Sequence, residues 1–243
     1  MIGRLGDGVR QTEALTSQVI EGKVLPVWKR VTAGEPRWPV AVAVVAAVLM
    51  QGLLPRQVQL VHPWILPSVA AALLVAIVIA SPTRLTEESA TLRFGTGVLI
   101  AWLTGANGLS AIRLLNRLLN GTFVGSPTRL LFTGGAIWLT NVICFALWYW
   151  HFDRGGPVDR AHGRSEYPDF LFPQMQDRSL APPDWDTGFV DYFYLSFTNA
   201  SAFSPTDVLP LKRWAKLTMM LQSAISLATV VLVIARAVNI LKS

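Results

Sequence analysis

Five stretches of this chain carry no Asp, Glu, Lys or Arg: Trp38 to Leu54, Pro63 to Ala80, Phe94 to Ile112, Leu130 to Phe152 and Leu217 to Ala235. Each runs for 17 to 23 residues, the length a helix needs to cross a bilayer. With 52% hydrophobic residues, only 15% charged residues and nine Trp, the chain is too apolar for an ordinary soluble domain of its size. The expected fold is an all-α, multi-pass integral protein of the cell membrane with five transmembrane helices. Small residues such as Ala41, Ala43, Ala46 and Ala47 in the first block and Gly95 and Gly97 in the third permit close helix packing.

Several function classes find no support. The histidines His62, His151 and His162 lack metal-ligand spacing, no G-x-S-x-G elbow occurs, and Cys144 has no base beside it in sequence. An intrachain disulfide is impossible with one cysteine. We therefore expect no enzyme, no cofactor and no bound metal. The net charge of +6 is spread beside the apolar blocks instead of forming a run, which points to membrane lipids and away from nucleic acid. Residues 1–37 hold six Lys or Arg and no sustained apolar core, so they read as a partly helical amphipathic arm and not a signal peptide. Pro36 and Pro39 disfavour a continuous helix into the first block.

Between the last two blocks lies a different feature. Tyr192 to Thr206 is an uncharged run of 15 residues that rises only about 22 Å as a helix, short of a hydrocarbon core of about 30 Å. Such a segment enters a membrane without crossing it, and non-helical backbone at that depth persists only when buried in protein or facing a wet cavity. We expect a short re-entrant helix here. The preceding residues, 153–190, are rich in Pro, Gly and mixed charges with an acidic excess, and read as an irregular, solvent-facing loop. An acidic rim of that kind would concentrate cations.

Tyr194, Ser196 and Phe197, then Ala202, Phe203, Ser204, Pro205 and Thr206, then Asp207 and Pro210, fall without a gap on the pore helix and filter of a known pattern. Residues 128–240 resemble the pore module of the potassium channel superfamily, in which an aromatic pore helix precedes Thr-Val-Gly-Tyr-Gly-Asp and a proline. Asp207 and Pro210 match outright, Ser226 falls near a hinge glycine, and Ala235-Arg236 resembles the family's helix end. The resemblance implies a homo-oligomer, a tetramer by the family's rule, around one axis. Both filter glycines are replaced, by Ser204 and Thr206, and Pro205 stands for the aromatic residue. Ser and Thr meet a steric cost at positive φ and Pro fixes φ near about −65°, so a potassium-selective carbonyl ladder is not expected. A path would be lined by Ser201, Ser204 and Thr206 hydroxyls with Asp207, and would pass monovalent cations with weak discrimination. An inert Ser-Pro turn joining two helices fits the same residues.

In the last helix Gln222, Ser226 and Thr229 share one face. Lining a pore and hydrogen-bonding to a neighbouring helix suit them equally, and Thr140 and Asn141 are candidate partners. The chain thus divides into an arm at 1–37, a three-helix membrane region at 38–127 and a pore-loop module at 128–243. Arg113 and Arg117, one turn apart among Ile112, Leu115 and Leu119, suit an interfacial helix or an extension of the third span. Orientation is contested. The pore-loop resemblance puts 153–211 outside, and five crossings put the amino terminus with it, yet that side holds twelve Lys or Arg, with Lys212, Arg213 and Lys216 beyond, against six on the other. Three resolutions fit: a cytoplasmic loop, an even number of crossings in the amino-terminal half through a half-inserted stretch at 109–125, or failure of the charge rule. The functional expectation is a channel-like protein passing cations through an oligomeric pore, with a non-conducting scaffold or partner subunit on the same module as the alternative.

Overall fold

The computed structural model describes residues 26–59, 65, 68–72, 75, 90–182, 185–201 and 207–241. Helices dominate them. Helix α1 is Trp38–Leu53, α2 Ala90–Leu119, α3 Pro127–Phe152, α4 Pro157–Ala161, α5 Pro173–Gln176, α6 Phe189–Ser201 and α7 Arg213–Leu241. Two short strands, β1 at Phe170–Leu171 and β2 at Leu209–Pro210, pair antiparallel. Three helices, within α2, α3 and α7, are long and apolar enough to cross a membrane. The apolar blocks beginning at Phe94, Leu130 and Leu217 each fall inside one helix, and the block beginning at Trp38 ends one residue past α1. Of the block at 63–80, Ile65, Ser68–Ala72 and Val75 are helical and the rest lies outside the described residues.

Local chemistry sets the helix ends. Pro39 occupies the first turn of α1, where its missing N–H costs nothing. Ser126 caps α3 by accepting from the Arg129 amide at 3.2 Å, ahead of Pro127. The Gln59 amide side chain donates to the Leu54 carbonyl at 2.9 Å, satisfying the carboxy-terminal end of α1.

Helix α3 is the hub, packed against α1, α2, α6 and α7. Its residues from Thr140 to Leu147 are all buried, as a helix enclosed on every side must be. In its apolar window 67% is buried, against 22% for α7, so α7 lies at the outside of the bundle. Polar side chains tie the helices together: Gln51 donates to Asn107 at 2.8 Å, Asn107 to the Ile137 carbonyl at 3.1 Å, and Trp148 to Thr104 at 3.0 Å.

The bundle has two ends. At the near end lie Glu35, the start of α2, the end of α3 and the start of α7; Glu35 bonds to Arg160, Arg93 at the α2 start pairs with Asp159, and Trp214 donates to Asp169. At the far end Arg113 donates to the Gln59 carbonyl, Arg117 to that of Gln57 at 2.7 Å, and Gln57 to that of Val124 at 2.9 Å.

This arrangement bears on three readings of the sequence. Helix α2 continues unbroken to Leu119, so Arg113 and Arg117 belong to its last turns and no half-inserted stretch occupies 109–125. The described part of the arm, residues 26–37, has one 3-10 turn at Val27–Lys29 and lies at the same end of the bundle as Arg160, Glu166 and Asp186, to which Glu35, Trp28 and Thr32 bond. Residues 153–182 form a folded cap over α3 with Asp153, Arg154, Arg160 and Asp169 all buried, not a solvated loop.

Close packing of α3 on α7 requires Gly134, where an added Cβ would lie 2.6 Å from a methyl of Val233. Gly135 faces open space. Gly134→Ala should therefore lower stability by about 1–3 kcal/mol in thermal unfolding, Gly135→Ala should not, and adding Val233→Ala should recover the loss.

Candidate functional site

Helix α6 begins at the near end, where Phe189 meets Trp150 edge-on, and its Ser196 hydroxyl donates to the Val142 carbonyl at 2.7 Å. It stops at Ser201, beside Gly134, Trp138 and Ser226 in an apolar groove of about 520 Å³ between α3 and α7. At 13 residues it descends only ~20 Å. By Leu209 the chain is back at the near end, where β2 pairs with β1 and the Leu211 amide donates to the Asp169 carbonyl at 2.8 Å.

Of the filter-equivalent residues, Ala202, Phe203, Ser204, Pro205 and Thr206 lie outside the described residues. Ser201 ends α6 with its hydroxyl donating to the Thr198 carbonyl at 3.0 Å, and Asp207 is exposed. Gln222, Ser226 and Thr229 are all buried, on the face of α7 turned to α3 and α6. Gln222 is fully engaged: its carbonyl accepts from the Tyr149 hydroxyl at 2.6 Å and from Asn199 at 2.8 Å, while its amide donates to the Ser196 hydroxyl and carbonyl at 2.7 and 2.9 Å. Asn141 donates to Ser226 at 3.1 Å. The Thr229 hydroxyl turns back to the Ile225 carbonyl at 2.8 Å, and that of Thr140 to Ala136 at 2.8 Å. The opposite face of α7 exposes Met220, Leu227, Val231 and Ile234.

What holds α6 at this depth is a buried charge cluster at the end of α3. Asp153 is fully buried with both oxygens filled: Oδ1 accepts from the amides of Asp169 and Phe170 at 3.0 and 3.3 Å, and Oδ2 from the Tyr192 hydroxyl at 2.5 Å and Arg154 Nε at 3.1 Å. Arg160 fastens the same region. Its Nε and Nη2 donate to Glu35 Oε1 at 2.9 and 2.7 Å, and its Nη1 donates to the carbonyls of Trp150 and Asp153 at 2.6 and 3.0 Å. The guanidinium thereby caps the negative end of the α3 dipole and lies over the Tyr192 ring, 5.1 Å from its centroid. Glu35 Oε2 accepts from Trp150 Nε1 at 2.7 Å.

Electrostatics follow burial. Loss of water pushes the Glu35 and Asp169 carboxyls above the usual carboxylate range, an effect Arg160 and Lys212 oppose. Arg160 is held firmly protonated, since Glu35 and Asp153 outweigh its desolvation. Arg154 adopts a left-handed backbone conformation at φ 54°, costly for a side chain with a Cβ; its amide donates to Asp169 Oδ2 at 3.3 Å and its carbonyl accepts from Ser165 at 2.7 Å.

Sequence reasoning passed over this cluster because its members are spread from Glu35 to Trp214. Its one local signal is the pair of arginines, Arg154 and Arg160, within eight residues of the end of an apolar helix. Among the described residues no group of three or more His, Cys, Asp or Glu could hold a metal ion. No protein-family model, curated protein or solved structure matches the chain.

Two substitutions separate the roles. Arg160→Met strands Glu35 in the interior and should cost about 3–5 kcal/mol in chemical unfolding, most of it restored by adding Glu35→Gln. Gln222→Leu leaves the buried Tyr149 hydroxyl without its partner and takes further bonds from Ser196 and Asn199, and should cost about 2–3 kcal/mol, whereas Met220→Leu on the opposite face should change stability by less than about 0.5 kcal/mol.

Proposed function

We propose that this is a channel-like, multi-pass protein of the cell membrane, in which five crossings and the re-entrant α6 form one pore-loop module of an oligomer passing monovalent cations. The observation that carries the reading is the path of the chain around α6: down from the near end for ~20 Å, then back to the same end by β2. Irregular backbone at such depth belongs where protein or a wet cavity surrounds it. One chain supplies one such loop, so a closed path needs several copies around an axis, and the potassium channel resemblance makes that number four.

Five crossings are supported by parity. Between Glu35 and Asp153, which share the near end, the chain must traverse the bundle an even number of times. α1, α2 and α3 account for three traverses, and the fourth falls between Gln59 and Ala90, where the Pro63–Ala80 block sits. Cation preference rests on Asp207, exposed just beyond the re-entrant segment, with Ser201, Ser204 and Thr206 as hydroxyl donors along the path.

The burial of Gln222, Ser226 and Thr229 favours a second reading. With those side chains engaged inside the chain, an axis along α7 would be met by Met220, Leu227, Val231 and Ile234, and a ring of apolar side chains blocks ions by expelling water. A scaffold or partner subunit that keeps the module without conducting fits that face.

Current through purified protein in a planar bilayer between asymmetric KCl and NaCl decides between them. The channel reading expects a cation current with little preference for potassium, lowered by Asp207→Asn and abolished by Ser204→Phe or Thr206→Phe in protein that still assembles. A silent bilayer from folded, oligomeric protein would replace it with the scaffold reading.

A further inference from the structure

Charge is sorted between the two ends of the bundle. Every described acidic residue, from Glu35 to Asp207, belongs to the near end, and so do all six ion pairs found among the described residues. The far end holds Arg56, Arg113, Arg117, Arg129 and Arg236, while residues 36–86, 89–152 and 208–243 contain no Asp or Glu at all. The near end has more Lys and Arg, but Arg93, Arg154, Arg160, Arg164 and Lys212 are matched there by carboxylates. None of the five far-end arginines forms an ion pair with a described residue.

These arginines are held in place without being neutralised. Arg113 and Arg117 donate to the Gln59 and Gln57 carbonyls, which fixes the 55–59 turn against α2. Arg56 and Arg129 are exposed, and Arg236 is half-buried with its Nε lacking a hydrogen-bond partner among the described residues. They are not gathered into a groove. Each sits where an apolar helix ends or begins: Arg56 just after α1, Arg113 and Arg117 in the last turns of α2, Arg129 in the first turn of α3 and Arg236 in the last turns of α7. That is a rim at headgroup depth, and guanidinium groups are suited to bidentate phosphate contacts.

We propose that the far-end rim, with Arg56, Arg129 and Arg236 as its free donors, binds the phosphates of anionic phospholipids in the adjoining leaflet. The proposal rests on the membrane reading above and is independent of whether the module conducts. A soluble acidic partner would call for clustered cations, and a merely solvated surface would not need five cations at helix ends with no carboxylate among them.

The test is thermal unfolding of the full chain in nanodiscs of phosphatidylcholine alone and with phosphatidylglycerol admixed. The anionic lipid should raise the midpoint by roughly 2–4 °C or more. Arg56→Gln/Arg129→Gln/Arg236→Gln should keep its midpoint in neutral lipid and lose most of the rise, while Arg213→Gln/Lys216→Gln at the near end should retain it. Soluble glycerol phosphate added to neutral nanodiscs should produce no rise. The proposal is overturned if the triple variant keeps the full response, if both variants lose it equally, or if glycerol phosphate reproduces it. A chain that does not enter nanodiscs overturns the membrane reading itself.

Discussion

A guanidinium with no access to water organises this fold. Arg160 is taken out of solvent, a transfer that costs several kcal/mol, and it is compensated only because Glu35 and the last carbonyls of α3 converge on it at 2.6 to 3.0 Å. Neither partner is near it by accident of sequence: Glu35 is 125 residues away. The pair forces the segment before α1 and the segment after α3 onto one end of the bundle. From that single requirement follows the end of the bundle at which α6 begins. Asp153 extends the constraint, since its two oxygens connect the end of α3, strand β1 and Tyr192 of α6. Asp169 carries it to Trp214 and Lys212 at the start of α7. Satisfied on all sides, such a network specifies one arrangement; with one member removed it becomes a buried charge without a partner.

Much of the helical framework was legible in the sequence because the signal is local. A charge-free apolar block needs no knowledge of its neighbours to be read as a helix, and Pro39, Ser126 and Pro127 mark where α1 and α3 begin. The cap over α3 was not legible for the converse reason. Residues 153–190 have the Pro, Gly and mixed charge of a solvated loop, and nothing local distinguishes an Asp that faces water from one whose acceptors are filled by amides sixteen and seventeen residues on, as Asp153 is. The run through Arg113 and Arg117 was ambiguous because two polar residues one turn apart suit both an interfacial helix and the emergent end of a long one. The bonds to Gln57 and Gln59 select the second.

The stripe on α7 shows where periodicity stops being informative. Spacing of four and three puts Gln222, Ser226 and Thr229 on one face, but it cannot say which neighbour that face meets. Gln222 has two carbonyl lone pairs and two amide hydrogens, and Tyr149, Asn199 and Ser196 use all four. These partners come from α3 and α6, so the face is an intrachain seam. A single side chain thereby couples the hub helix, the descending helix and the outermost helix.

This division of α7 into a polar inner face and an apolar outer one bears on the channel reading proposed above. The outer face, Met220, Leu227, Val231 and Ile234, offers water no hydrogen bonds, so hydrating a path along it requires α7 to rotate. Rotation would carry Gln222 out of the seam and leave the buried Tyr149 hydroxyl unpaired, at a cost of about 1–3 kcal/mol. Asn141 would lose Ser226 by the same movement. An α7 that turned to open would thus work against several hydrogen bonds and against the Gly134–Val233 contact, where there is no room for a Cβ. A static α7 keeps its polar face sealed against α3 and α6, so the proposed cation path cannot run along that face.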